Sequence, residues 1–311
     1  MNEEVKCSVV IPVYNSEQTL EMLFSKIQEV FKSLKISYQV VFVEDCGQDK
    51  SWEVLRKLQA NFPKEIIAVK LSRNFGQHNA ILCGLQHATG ELIITIDDDL
   101  QILPEEIPKL IIAQAESKAE LVYGVYENKQ HNYFRNLGSL LVQRIAQYTF
   151  RTDGPITSFR LLSSSLSKRI WNHSQSFVYI EGLFFWHTEN VIRVKVTHQP
   201  RKIGKSNYST IKLIKLAVNL IFQFTTFPLR LIMVIGILFS LISFFLGVYF
   251  IFRKIVYEVP LGYTSIIVSI YFTTSVLLVF LGVIGEYLSR LYSIQNRRPQ
   301  FSVREVLMDV K

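Results

Sequence analysis

Two hydrophobic patterns divide this chain. Over its first two hundred residues, short unbroken apolar runs alternate with stretches of helical spacing. Ser8 to Ile11 reads as a buried strand, and strand-like runs recur at Gln39 to Val43, Ile66 to Val69 and Leu92 to Ile96. Between them, Leu20, Phe24, Ile27 and Phe31 repeat at helical intervals, and helical stretches fill Ser51 to Asn61 and Gln77 to His87. Continuous apolar strands separated by helices predict a parallel sheet covered on both faces. Ligands of such sheets bind at the carboxyl ends of the strands. That rule gathers Pro12-Val13-Tyr14-Asn15, Glu44-Asp45 and Asp97 to Gln101 at one rim.

The second pattern is the loss of charge near the carboxyl end. The 22 residues from Leu231 to Phe252 hold no ionisable side chain except Tyr249, and Val259 to Gly285 is free of charge up to Glu286. A helix of the first length covers roughly 33 Å, enough for a hydrocarbon core of roughly 30 Å. Two membrane helices joined by a turn around Glu258, Pro260 and Gly262 are expected; a helical hairpin buried in a soluble core is the other arrangement these residues permit. Ahead of them, Ile211 to Phe227 places Lys212, Lys215, Asn219 and Gln223 on one face and Leu213, Ile214, Ala217, Leu220, Ile221 and Phe224 on the other, as in a helix lying in the bilayer interface. Phe134 to Phe150, with Arg135 and Arg144 among leucines, fits either a second such helix or one packed on the domain core.

Charge sharpens this division. Residues 1 to 200 carry 21 Lys+Arg and 22 Asp+Glu, net −1, whereas residues 201 to 311 carry 13 and 4, net +9. A basic excess confined to the membrane part fits an anionic bilayer surface and argues against nucleic acid. Met1 to Lys6 leads straight into a strand-like run with no signal peptide, so the amino-terminal domain is expected in the cytoplasm. Basic residues flanking the spans put both termini on that side. Cys7, Cys46 and Cys83 lack metal-ligand spacing and read as reduced thiols.

The candidate chemistry centres on Ile96-Asp97-Asp98-Asp99-Leu100-Gln101, where a buried strand meets a loop. Three adjoining carboxylates repel one another unless a cation joins them. Hard divalent ions such as Mg²⁺ or Mn²⁺ take carboxylate oxygens and complete their shells with substrate phosphates and water. A solvated acidic turn would show the same spacing.

Ile11-Pro12-Val13-Tyr14-Asn15, Val43-Glu44-Asp45-Cys46-Gly47-Gln48-Asp49-Lys50-Ser51, Leu71-Ser72-Arg73-Asn74-Phe75-Gly76-Gln77-His78 and Asp97-Asp98-Asp99-Leu100-Gln101 together resemble the family 2 glycosyltransferases of GT-A fold. Within that family the chain is most similar to the polyprenyl-phosphate glycosyltransferases, among them the dolichol-phosphate mannose synthases and the undecaprenyl-phosphate glucose and aminoarabinose-type transferases. The resemblance covers nearly the whole chain and implies a GT-A α/β catalytic domain with interfacial helices and a two-helix transmembrane hairpin. It also implies roles. Pro12, Tyr14, Asn15, Asp45, Arg73 and Asp97 would bind the nucleotide; Asp99, Gln101 and Asp97 would hold Mn²⁺ or Mg²⁺; Asp99 and Arg160 would be catalytic. Arg201 and Lys205, in a basic loop where Asn207 replaces a usual Lys, would bind the acceptor phosphate, with Arg135 a further candidate.

Thr157-Ser158-Phe159-Arg160-Leu161 resembles the segment that in relatives often carries an acidic base before the Arg, but here Ser158 stands in its place and the nearest acid is Asp153. The role of Asp98 is open, His78 resembles the aminoarabinose-type subset, and Glu181 is an acid among apolar neighbours that could face the sugar. The implied organisation is a cytoplasmic GT-A domain at 1–209, an interfacial helix at 210–227, two membrane helices within 228–289 (about 229–252 and 262–285) and a cytoplasmic tail at 290–311. The implied reaction moves one sugar from a nucleotide donor, UDP-linked by expectation, to undecaprenyl phosphate. The setting is the bacterial cytoplasmic membrane, with a homo-oligomer, a tetramer by analogy. A processive polysaccharide synthase would be expected to carry Gln-x-x-Arg-Trp, which is absent. A nucleotide-sugar-binding scaffold without chemistry would have little reason to keep the acidic cluster.

Overall fold

A computed structural model of the chain describes residues 5–126, 154–171, 178–197, 199, 227–257, 262–296 and 299–309. The four expected strands form: β1 (Cys7–Val13), β2 (Tyr38–Glu44), β3 (Ile66–Leu71) and β4 (Leu92–Thr95). β1 pairs in parallel with β2 and β4, and β2 with β3. Val9, Val10, Ile11 and Val40 to Val43 are fully buried. Their burial follows from helices on both sheet faces, which is why these strands show no polar alternation. Val9 and Ile11 enter the core beneath α1 (Leu20–Leu34), α2 (Ser51–Asn61) and α4 (Ile107–Ser117). Val10 enters the opposite core, beneath α3 (Gln77–His87), α5 (Ser164–Ile170) and α6 (Ile180–His187).

The remaining strands are β5 (Leu121–Val125), β6 (Arg160–Ser163), β7 (Val191–Lys195) and β8 (Val303–Leu307). They complete a mixed sheet in the order β7-β5-β6-β4-β1-β2-β3-β8. β6 runs antiparallel to β4 and β5, so the residues that precede it lie beside the carboxyl end of β4. The chain moves from β1 outward to β3 and then returns to the other side of β1 as β4, making a topological switch point between β1 and β4.

The carboxy-terminal segment departs from the expected tail at 290–311. It begins as the end of a long helix and then supplies β8 to the sheet edge. The cause is the open edge of β3: Ala68↔Leu307, Val69↔Val306 and Lys70↔Glu305 pair backbone groups that would otherwise face solvent. Arg56 of α2 adds two contacts to Glu305, at 2.7 and 2.9 Å.

Residues Met1–Thr210 and Arg297–Lys311 form one compact unit, and Ile211–Asn296 a second. In the second, α7 (Phe227–Tyr257) contains the expected stretch Leu231 to Phe252, and α8 (Tyr263–Gln295) takes up the other expected stretch from Tyr263 onward. Their 31 and 33 residues span roughly 46 and 50 Å. Both are long and apolar enough to cross a membrane, through Pro228–Tyr249 and Phe272–Ser289. The interfacial helix expected before Phe227 and the helix expected at 134–150 lie outside the described residues.

Candidate active site

Four loops leave the carboxyl ends of β1 to β4 and interlock. Asn15, Cys46 and Leu100 adopt left-handed backbone at φ 55°, 54° and 56°, and Gly76 sits at φ 91°. The only other non-glycine residues of this kind among those described are Lys35 and Lys118, which end α1 and α4. Left-handed backbone therefore gathers at the rim, where tight turns aim side chains inward. Asn15 Oδ1 accepts the Gln48 N–H at 2.7 Å, and the Ser16 N–H donates to Ser51 Oγ at 2.9 Å, fastening the β1 loop to the β2 loop.

Asp45 ties the next pair of loops. Its carboxylate accepts the Phe75 N–H at 2.7 Å and the Gly76 N–H at 2.8 Å, holding the turn that starts α3. Burial pushes Asp45 up to about 6 against those two donors, and Glu44 adds to the rise. Each oxygen keeps a second lone pair for a ligand donor. Arg73 is exposed, with its guanidinium 4.6 Å from the centre of the Phe75 ring. Tyr14, just past the end of β1, is 39% exposed at the rim. Pro12 lies buried within β1, beyond the last pair with β4 at Val10↔Thr95, so its missing N–H breaks no bond of that ladder.

The acidic triplet divides by role. Asp98 turns to the β1 loop, where one oxygen accepts the Tyr14 N–H at 3.1 Å and the Ser16 hydroxyl. Asp97 accepts the Gln77 side-chain amide at 2.7 Å and the Ser158 hydroxyl. Asp99 accepts the Gln101 N–H at 3.1 Å, and the Gln101 carbonyl accepts the Gln199 N–H at 2.8 Å. Thus Asp97, Asp99 and Gln101 occupy one short loop at the switch point, and Asp98 serves to lock that loop. Among the described residues no three His, Cys, Asp or Glu side chains converge as an all-protein cage. Two carboxylates and an amide match a divalent ion that takes its remaining ligands from phosphate and water.

Burial pushes Asp98 up to about 7, its Ser16 and Tyr14 donors oppose the rise, and the charges of Asp97 and Asp99 add to it. This sets a pH test. With a folded pKa near 7 above an unfolded value of about 3.9, Asp98 charges more readily in the unfolded chain, so stability is lost as pH rises between the two values. Asp98→Asn keeps one oxygen for both donors and removes that loss. The melting temperature of the variant should exceed that of the parent by a margin that opens above pH 4 and levels beyond pH 7. A margin independent of pH would refute the assignment.

Arg160, implied to be catalytic, is committed to a buried ion pair beside the carboxyl end of β4. It is fully buried, its Nε donates to Thr95 Oγ1 at 3.0 Å, and its Nη1 pairs with Glu181. Glu181, which the sequence suggests could face the sugar, is the counter-ion of Arg160 and also accepts the Tyr123 hydroxyl at 3.0 Å. Burial drives the nearby His78 imidazole down to about 4, opposed by Glu181, and its ring packs edge-on to Tyr179 at 5.1 Å. Asp153, Arg135, Arg201 and Lys205 lie outside the described residues. Sequence reasoning missed Ser158 and Gln77 as partners of Asp97. Their only signal was polarity beside the Arg160 motif and at the start of α3.

The family model for glycosyl transferase family 2 matches residues 8–172. An undecaprenyl-phosphate 4-deoxy-4-formamido-L-arabinose transferase of Enterobacter sp. (strain 638) is 32% identical over 310 residues, covering 97% of this chain and 94% of its own. The enzyme of the same description from Proteus mirabilis (strain HI4320) is also 32% identical, with coverage of 97% and 94%. Among solved structures, glucosyl-3-phosphoglycerate synthase from Mycobacterium tuberculosis, in complex with Mn²⁺, UDP-glucose and phosphoglyceric acid, superposes with a TM-score of 0.52 at 14% identity. The match covers 70% of this chain and 77% of that one, and shows a shared GT-A-like fold. With the family pattern running through the strands that carry the acidic loop, and relatives aligned from end to end, this chain belongs to glycosyl transferase family 2.

Proposed function

We propose that this chain moves a single sugar from a nucleotide-sugar, a UDP-sugar in our reading, onto undecaprenyl phosphate, yielding a lipid-monophosphate sugar for cell-envelope glycan modification. One observation carries the reading: Asp97 and Asp99 share a loop at the β1/β4 switch point of a sheet whose chain is alignable throughout with undecaprenyl-phosphate sugar transferases. Tyr14, Asn15, Asp45 and Arg73 receive the nucleotide in this reading, and Asp97, Asp99 and Gln101 hold Mn²⁺ or Mg²⁺. When bound there, a divalent ion supplies charge to offset what builds on the departing diphosphate. Arg201 and Lys205 take the lipid phosphate, and α7 and α8 keep the chain at the bilayer of the bacterial cytoplasmic membrane.

The reaction is one in-line displacement. A lipid-phosphate oxygen forms the new bond to C1 of the sugar, while the bond from C1 to the diphosphate breaks and its electron pair leaves with the nucleoside diphosphate. The anomeric configuration inverts. A phosphomonoester with its second pKa at about 6 is mostly dianionic at neutral pH, so the nucleophile needs little deprotonation. Ser158, where relatives often carry an acid, agrees with this: the protein's task is positioning.

Two measurements test the reading. Undecaprenyl phosphate added to the full-length protein with UDP-, GDP- or dTDP-sugars and Mn²⁺ should release nucleotide, and mass spectrometry should find one sugar on the lipid phosphate. No release with any donor would refute it. Asp153→Ala should keep turnover within about tenfold of the parent, whereas loss of a true general base costs roughly 10²- to 10⁴-fold.

A further inference from the structure

A continuous path of bonds joins the buried ion pair to the acidic loop. Thr95 of β4, Arg160 of β6 and Tyr123 of β5 stand in register across three adjacent strands. Glu181 reaches them from α6, taking Arg160 Nη1 with one oxygen and the Tyr123 hydroxyl with the other. The guanidinium is further confined by the Phe184 ring, 4.7 Å away. An arginine only donates, so Thr95 Oγ1 must accept from its Nε, and the single threonine proton is thereby committed elsewhere. It goes to the Ser158 carbonyl at 2.6 Å, while Arg160 Nη1 also meets the Thr157 carbonyl at 3.4 Å. The turn held in this way presents the Ser158 hydroxyl to Asp97.

We infer that Glu181 is a positioning residue for Asp97, acting through Arg160, Thr95 and Ser158. Glu181 fixes the guanidinium, the guanidinium orients the Thr95 hydroxyl, and that hydroxyl sets the Ser158 turn that holds one Asp97 oxygen in place. The assignment rests on the reading of Asp97 as a ligand of the divalent ion. Partners that orient a metal ligand typically change metal affinity by roughly 10- to 100-fold when removed. An ion pair that only supports the fold has no such reach.

The test is Mn²⁺ binding to the full-length protein in the presence of UDP, read from the loss of the free-ion signal in electron paramagnetic resonance. Glu181→Gln keeps the size of the side chain and removes its charge; Ser158→Ala removes the last bond of the path. Each is expected to weaken Mn²⁺ binding by about tenfold, and the double variant should bind no more weakly than the weaker single one, because both act along one path. Thr95→Val breaks the middle of the path while leaving the ion pair intact, so it carries the test if Glu181→Gln fails to fold. Variants that bind Mn²⁺ like the parent, or effects that multiply in the double variant, would overturn the inference. A parent chain that binds no Mn²⁺ with UDP would instead overturn the reading of Asp97, and this inference with it.

Discussion

Asp99→Asn is expected to slow nucleotide release by roughly a thousandfold or more, while the protein keeps its fold. The fold should survive because asparagine retains an oxygen for the Gln101 N–H, which Asp99 now accepts at 3.1 Å. The rate should fall because the substitution removes a negative charge from the loop proposed to hold the divalent ion. That ion is worth several kcal/mol in offsetting charge on the leaving diphosphate. A loss of about 4 kcal/mol in transition-state stabilisation corresponds to about a thousandfold in rate. Asp98→Asn provides the contrast. Its carboxylate is spent on Tyr14 and Ser16, and asparagine can accept both bonds, so activity should drop far less. Rates measured side by side at neutral pH decide the matter: equal losses at the two positions would mean that the triplet acts as one acidic patch rather than as a ligand pair with a structural neighbour.

That division within the triplet marks the limit of what the sequence displays. β1 to β4 are legible because strands covered on both faces must be apolar throughout, and the rule that ligands sit at their carboxyl ends then assembles the rim from Tyr14, Asp45 and Asp97. β6 is not legible in the same way. It has four residues and opens with Arg160, a charge that masks the apolar signal of the Leu161 and Leu162 that follow. β8 escapes pattern reading too, since Val303–Leu307 alternates weakly and follows the second span, where a free tail is the natural expectation. Side-chain commitments are harder still. Asp97, Asp98 and Asp99 are indistinguishable by composition, and they separate only because Asp98 meets a hydroxyl 82 positions away in sequence, on Ser16. Likewise nothing in the pattern around Arg160 shows that the fold brings this strand residue a carboxylate, Glu181, from α6.

Glu181→Leu is expected to lower the melting temperature of the full-length protein by on the order of 10 °C. Removing one partner of a buried ion pair strands the other charge, at a cost of about 3–5 kcal/mol, and about 2–4 °C accompanies each kcal/mol in a domain of this size. Arg160 has no accessible surface through which water could solvate it once Glu181 is gone. Arg160→Met alone should cost a comparable amount by leaving Glu181 without its cation. The double variant should be more stable than either single one, because an apolar pair of similar volume carries no desolvation cost. Recovery should stop short of the parent, since Tyr123 would still hold a buried hydroxyl with its acceptor removed, worth about 1–3 kcal/mol. Adding Tyr123→Phe should restore most of that remainder. The half-exposed Arg56–Glu305 pair offers a control, with side chains 54% and 34% exposed, and Glu305→Gln should shift stability by less than about 1 kcal/mol. If the Glu181 and Arg160 variants melted no lower than this control, the buried pair would not be the anchor of the site wall, and the Ser158 turn would have to be held by Thr95 alone.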